Sequence, residues 1–221
     1  FRLSVPTIAA QIVNALYNIV DRMYIGHMRD IGNDALTAMG VCLSIIMIIS
    51  AFAALTAMGG AARASIMLGR GQKEEAERIL GNCTIVTCAV AIVLTLIFTI
   101  FAEKFLWWFG ATEESIGYAV DYMRIYALGT IFVELALGLN AFITAQGFSL
   151  IGMLSVVIGA VINIALDPIL IYACSLGVKG AAIATVVSQA ASAVWVVSFL
   201  LGKKTVLKIR LKYFKVSLAS Y

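Results

Sequence analysis

A chain of 221 residues is long enough for one large soluble domain or two small ones, but 62% of it is hydrophobic, 13% is charged and its mean hydropathy is +1.00. Soluble domains carry about 25% charged residues, so a soluble fold is excluded, and 18 glycines with two prolines exclude a collagenous chain. The net charge of +4 gathers at one membrane face, as shown below, and does not point to nucleic acid.

A helix needs about 20 mostly apolar residues to cross a bilayer. Six such runs follow in chain order, at residues 3–26, 36–59, 79–102, 118–146, 150–175 and 180–201. An open sheet cannot survive in hydrocarbon and the alternation of a membrane barrel is absent, so the runs are read as helices of an all-α membrane protein. The connections are short except 60–78 and 103–117; the latter sets Trp107 and Trp108 beside charges, as at an interfacial belt. The first run is too long for a signal peptide and carries Asp21. Cys42, Cys83, Cys88 and Cys174 lie in apolar stretches with His27 as the single histidine, and read as buried thiols rather than metal or redox groups. The ends, Phe1 and Tyr221, read as cut from a longer chain.

Six spans put the N-terminus, two connections and the C-terminal tail on one side. That side holds Arg2, Arg63, Arg70, Lys73, Arg78, Lys203, Lys204, Lys208, Arg210, Lys212 and Lys215, against Arg29, Lys104 and Lys179 opposite. The positive-inside rule then makes both termini cytoplasmic.

Ionisable groups inside spans are expensive and ask for a reason. Ser4, Thr7, Gln11, Asn14, Asn18 and Asp21 fall within an arc of roughly 100° on the first helix. Such a stripe either bonds neighbouring helices or faces a water-accessible pathway, which its length and terminal carboxylate favour. In the fifth span Asn163 and Asp167 are four apart and share a face. Pro168 removes a backbone donor, so the helix is expected to kink or open there and free carbonyl oxygens for a cation. At about 1.5 Å per residue, Asp21, Asp167 and Thr185 reach the same depth. Two carboxylates, an amide and a hydroxyl suit a hard cation, Na⁺ or a proton, and no transition metal. Glu134, in the fourth span, either lines the same cavity or is structural.

VNALYNIVDRMYIGH, ALGLNAFITAQG, GAVINIALDPILIY and GVKGAAIATVVSQ, in that order, resemble the multidrug and toxic-compound extrusion (MATE) family, as does GGAARASIMLGRGQKEEAERILGN between the second and third spans. In that last segment Gly69-x-Gly71 is a helix break rather than a phosphate loop, since no strand precedes it. The resemblance implies a twelve-helix protein of two six-helix lobes. Residues 1–201 would be the N-terminal lobe and 202–221 a basic cytoplasmic linker towards a second lobe of the same polypeptide. It further implies a prokaryotic cell membrane, export of cationic or amphipathic compounds, coupling to Na⁺ or H⁺ entry, and no cofactor. Carried over residue by residue, the cation site would be Asp21, Asn163, Asp167 and Thr185, with the Ala181 carbonyl as a further oxygen. One departure stands out: the family's N-x-x-x-R-A stretch has Thr144 at the arginine, which removes the expected basic anchor or gate at that cytoplasmic corner.

A cation and a cationic substrate would then compete for one negative charge, as antiport requires. Gln11, Asn14, Tyr17, Asn18 and Glu134 are the expected substrate-cavity residues, with Met23 as adaptable surface. A lipid-linked saccharide flippase of the same superfamily would want a cationic cavity, and a non-transporting scaffold would use the polar stripes only as glue. No Ser/His pair, H-E-x-x-H or aspartyl dyad motif suggests an enzyme.

Overall fold

The computed structural model describes residues 4–28, 31–210 and 213. Arg2, Arg29, Lys212 and Lys215, counted in the charge balance, lie outside the described residues, as do both ends of the chain. The elements are α1 (Ser4–Gly26), α2 (Gly32–Gly69), α3 (Lys73–Ile100), α4 (Ala102–Trp108), α5 (Glu113–Leu128), α6 (Thr130–Ala145), α7 (Ser149–Pro168), a π-helical turn (Ile169–Ala173) and α8 (Gly177–Leu201). Every regular element among the described residues is helical.

Four helices, α2, α3, α7 with its π turn, and α8, are each long and apolar enough to cross a membrane, and the α5–α6 pair forms a fifth, broken span. Helix α1 falls short of that apolarity because its stripe of Gln, Asn and Asp dilutes it. Its 23 residues nevertheless reach about 34 Å. Away from the stripe, Val5, Ile8, Ile12, Leu16, Ile19 and Met23 form a strip 55–60% exposed, a surface suited to lipid. The lobe therefore has six crossings.

Three expectations are corrected. The connection expected at 60–78 is almost entirely helix: α2 runs on to Gly69 and only Arg70–Gln72 separate it from α3. Small residues let it continue, since a Cβ at Gly60 would come within 2.3 Å of Cys83 Sγ and 2.8 Å of Phe142, so α2 lies directly on α3 and α6. The break falls at Gly71, which alone of the Gly69–Gly71 pair takes a positive φ, 75°. The connection expected at 103–117 contains the short helix α4. It also contains the start of α5, where the Thr112 and Ser115 hydroxyls each accept from the other's backbone N–H.

The fourth span is not one helix. It bends by 57° between α5 and α6, at Gly129, where a Cβ would meet Val186 of α8 at 2.5 Å. The kink is a glycine kink that lets α8 approach. In the fifth span the α-helix ends at Pro168 and opens into the π turn, as its proline implied. The missing donor is absorbed by a shift to wider hydrogen bonding, and Cys174 N–H reaches back five residues to Ile169 O at 2.8 Å.

Helix α1 packs along α7; α8 lies against α5, α6 and α7; α2 runs through the middle against α3, α5 and α6. Two apolar clusters result. One, at the α4 end, gathers Ile25, Ile45, Phe98, Leu106 and Met123. The other, at the opposite end, gathers Leu80, Leu139, Ile143, Leu200 and Leu207. The polar side chains of α1, α7 and α8 lie between these ends.

Candidate functional site

The sequence stripe on α1 and the Asn163–Asp167 pair on α7 come together because α1 packs along α7. Beyond Pro168 the Tyr172 hydroxyl donates to the Tyr24 carbonyl, fastening the end of α1 to the π turn. The carboxyls of Asp21 and Asp167 adjoin one another, with the Tyr17 hydroxyl within electrostatic reach of both. Asn163 and Asp167 are fully buried, and Asp21 and Thr185 are 7% exposed.

The hydrogen bonding here is thin. Asn163 Nδ2 reaches Asp167 Oδ1 at 3.5 Å, a weak contact by ordinary geometry. Asp21 Oδ1, Asn163 Oδ1 and Asp167 Oδ2 are buried and receive no hydrogen bond from the protein. Buried polar oxygens are nearly always satisfied, so three such atoms from two helices can accept a proton, a water or a cation. Two like charges at roughly 4 Å repel by about 4 kcal/mol at an effective dielectric of 20, which a cation between them would reverse. Thr185 Oγ1 donates to the Ala181 carbonyl at 2.9 Å. Its proton is thereby turned back along α8, which leaves the oxygen able to act as an acceptor. Gly180 admits this arrangement, because a Cβ there would lie 2.7 Å from the Leu170 backbone of the π turn. Among the described residues no group of three or more His, Cys, Asp or Glu is placed to hold a metal ion.

On the far side of Tyr17 opens a cavity of about 810 Å³. Gln11, Asn14 and Tyr17 line it from α1, Asn140 and Thr144 from α6, and Gln189 from α8, with Met58 and Met153 as flexible apolar patches. No acidic or basic side chain is among its lining residues. Three expected members are elsewhere. Asn18 donates to its own helix, at Asn14 O, 2.7 Å; Glu134 is fully buried with neither oxygen hydrogen-bonded; and Met23 is on the outward apolar strip.

The MatE family model matches residues 6–169. This chain belongs to the MatE family. Multidrug export protein MepA of Staphylococcus haemolyticus is 27% identical over 212 residues, covering 96% of this chain and 46% of that protein. MepA of Staphylococcus saprophyticus is likewise 27% identical over 211 residues. Among solved structures, an outward-facing multidrug resistance MATE family transporter of the MOP superfamily superposes with a TM-score of 0.91 at 27% identity, over 99% of this chain and 48% of that one. A MOP superfamily transporter from Pyrococcus furiosus, whose binding pocket is described as of reverse polarity, matches equally well. The chain spans about half the length of the relatives it matches, as one MATE lobe, the N-terminal one.

Within this MatE lobe, sequence reasoning missed Tyr122 of α5. It is 2% exposed, its hydroxyl bonds the Thr185 side chain and it lies close to Asp21. Its ring stacks on Tyr126 at 6.0 Å between centroids. The signal was a Tyr-x-x-x-Tyr pair on one helix face, hidden because nothing in the sequence says which helix that face meets.

Proposed function

We propose that this chain forms the cation-coupling half of an antiporter that exports cationic or amphipathic compounds in exchange for Na⁺ or H⁺. The observation that carries the reading is the adjoining Asp21 and Asp167 carboxyls, with three buried oxygens left without donors. Asp21, Asn163, Asp167 and Thr185, with the Ala181 carbonyl, would hold the ion. Gln11, Asn14 and Tyr17 would meet the substrate in the cavity. Tyr17 belongs to both regions, so occupancy of one would be felt in the other through α1. The similarity to proteins named multidrug export proteins supports this class. A lining free of basic side chains disfavours a carrier of pyrophosphate-linked lipid. Residues 1–201 would work against a second lobe of the same polypeptide, since alternating access needs a partner to rock against, with both termini of this lobe cytoplasmic.

The test is export by the full-length protein from proteoliposomes under an imposed Na⁺ or proton gradient. Export driven by either gradient and abolished by Asp21→Asn, with insertion intact, supports the reading. A purely structural scaffold would show no gradient-driven flux in any variant.

A further inference from the structure

Residues 202–210, expected as the start of a basic cytoplasmic linker, are folded back onto the lobe. The chain leaves α8 through Gly202 with extended backbone (ψ 177°) and returns so that Ile209 N–H caps Leu200 O at 3.2 Å. Leu207 is 1% exposed within the cluster of Leu80, Leu139 and Leu200. Gln146 makes the most hydrogen bonds to this strap. The Gln146 amide oxygen, just past the end of α6, accepts the N–H groups of Val206 at 2.9 Å and Leu207 at 2.8 Å. The Thr205 hydroxyl is also within 2.8 Å and shares its single proton between Gln146 and Leu207 O. Gln146 Nε2 donates to Phe142 O at 2.9 Å, which fixes the amide's orientation. Further along, Arg210 Nε pairs with the buried Glu77 of α3 at 2.9 Å, and the Tyr213 hydroxyl donates to Glu74 at 2.6 Å.

The position of Gln146 matters more than its bond count. Thr144 and Ala145, immediately before it, line the cavity. The corner where Thr144 replaces the family's arginine therefore has an anchor after all, a neutral one two residues on. A clamp there ties the departing chain to the α6 wall of the cavity. Unclamped, residues 202–210 would be a slack tether able to span up to about 30 Å, and movement of whatever follows would not reach α6.

We infer that Gln146 is a positioning residue for export: through its amide oxygen it fastens the strap to the α6 wall, so that motion of the following chain is carried into the cavity. The inference rests on the exporter reading for its consequence, but not for the clamp itself. The experiment uses the full-length protein, with hydrogen exchange at the Val206 and Leu207 amides and export followed in parallel. Gln146→Leu should expose both amides and lower the maximal export rate about tenfold, equivalent to ~1.4 kcal/mol in barrier. KM and the Na⁺-dependent rise in melting temperature should stay as in the parent. Gln146→Glu, which keeps the acceptor but loses the Nε2–H donated to Phe142 O, should retain more protection and rate than Gln146→Leu. Arg210→Gln combined with Glu77→Gln, which loosens only the far end without stranding a buried carboxylate, should move rate and protection in the same direction by less. Unchanged protection in Gln146→Leu, or a rate lost through KM or the ion response, overturns the inference. If the parent exports nothing, the exporter reading fails and the role in export falls with it, while exchange still reports whether the clamp exists.

Discussion

The carboxylate pocket and the cavity share Tyr17 as a wall, yet differ in nearly every other respect. In the pocket, charge is concentrated and buried: Asp21 and Asp167 adjoin, and three oxygens have no donor. The cavity is wider and uncharged, lined by amides, hydroxyls and two methionines. A buried unsatisfied carboxylate is selective, because only a small cation relieves it; neutral amides and deformable thioethers accept many shapes. On the function proposed above, stringent ion recognition would belong to one region and permissive substrate recognition to the other.

The contrast breaks most visibly at Asp167. Asp167→Asn removes the charge and keeps the shape, so the Na⁺ stabilisation, about 2.7 kcal/mol at a hundredfold excess over Kd, should vanish along with export. Melting in detergent at constant ionic strength, with choline replacing Na⁺, reads it directly; a retained shift would move the ion elsewhere.

Thr185→Val should act in the same direction but less. It removes one oxygen ligand and should weaken Na⁺ about tenfold, or ~1.4 kcal/mol, by the same titration. An unaltered Kd would take Thr185 out of the site. Smaller again is Tyr122→Phe, which deletes only the hydroxyl beside Thr185. A loss of roughly 1 kcal/mol in ion-dependent stabilisation is expected, and none if Tyr122 is simply packing.

Asn140→Ala tests the other side of the comparison. Its Nδ2 donates to Gly152 O at 3.2 Å across the α6–α7 corner, so stability should fall by about 1 kcal/mol or less. KM should change several-fold for some substrates and not others, as neutral, adaptable lining implies. The Na⁺ response should not change, and a lost response would merge the two regions into one.

Much of this was legible from local pattern. The six runs, the α1 stripe and the Asn163–Asp167 spacing are properties of single helices, where composition and a period of 3.6 residues suffice. The proposed set Asp21, Asn163, Asp167 and Thr185 came from residue counting, because membrane depth is a one-dimensional coordinate. Asn18 shows the limit of that reasoning: it lies on the right face, yet its side chain turns to its own backbone.

What the sequence by itself determined is the membrane class and the helical content, because hydrocarbon imposes those on any chain of this composition. The tertiary structure decided the rest. The bend at Gly129 exists because Val186 of a different helix needs the room. The π turn after Pro168 puts Tyr172 against Tyr24, Tyr122 reaches Thr185 only once α5 meets α8, and Gln146 meets a strap some 60 residues later in the chain. Each is a contact between segments distant in sequence. Helical periodicity tells which face a residue occupies, but packing alone tells what that face meets.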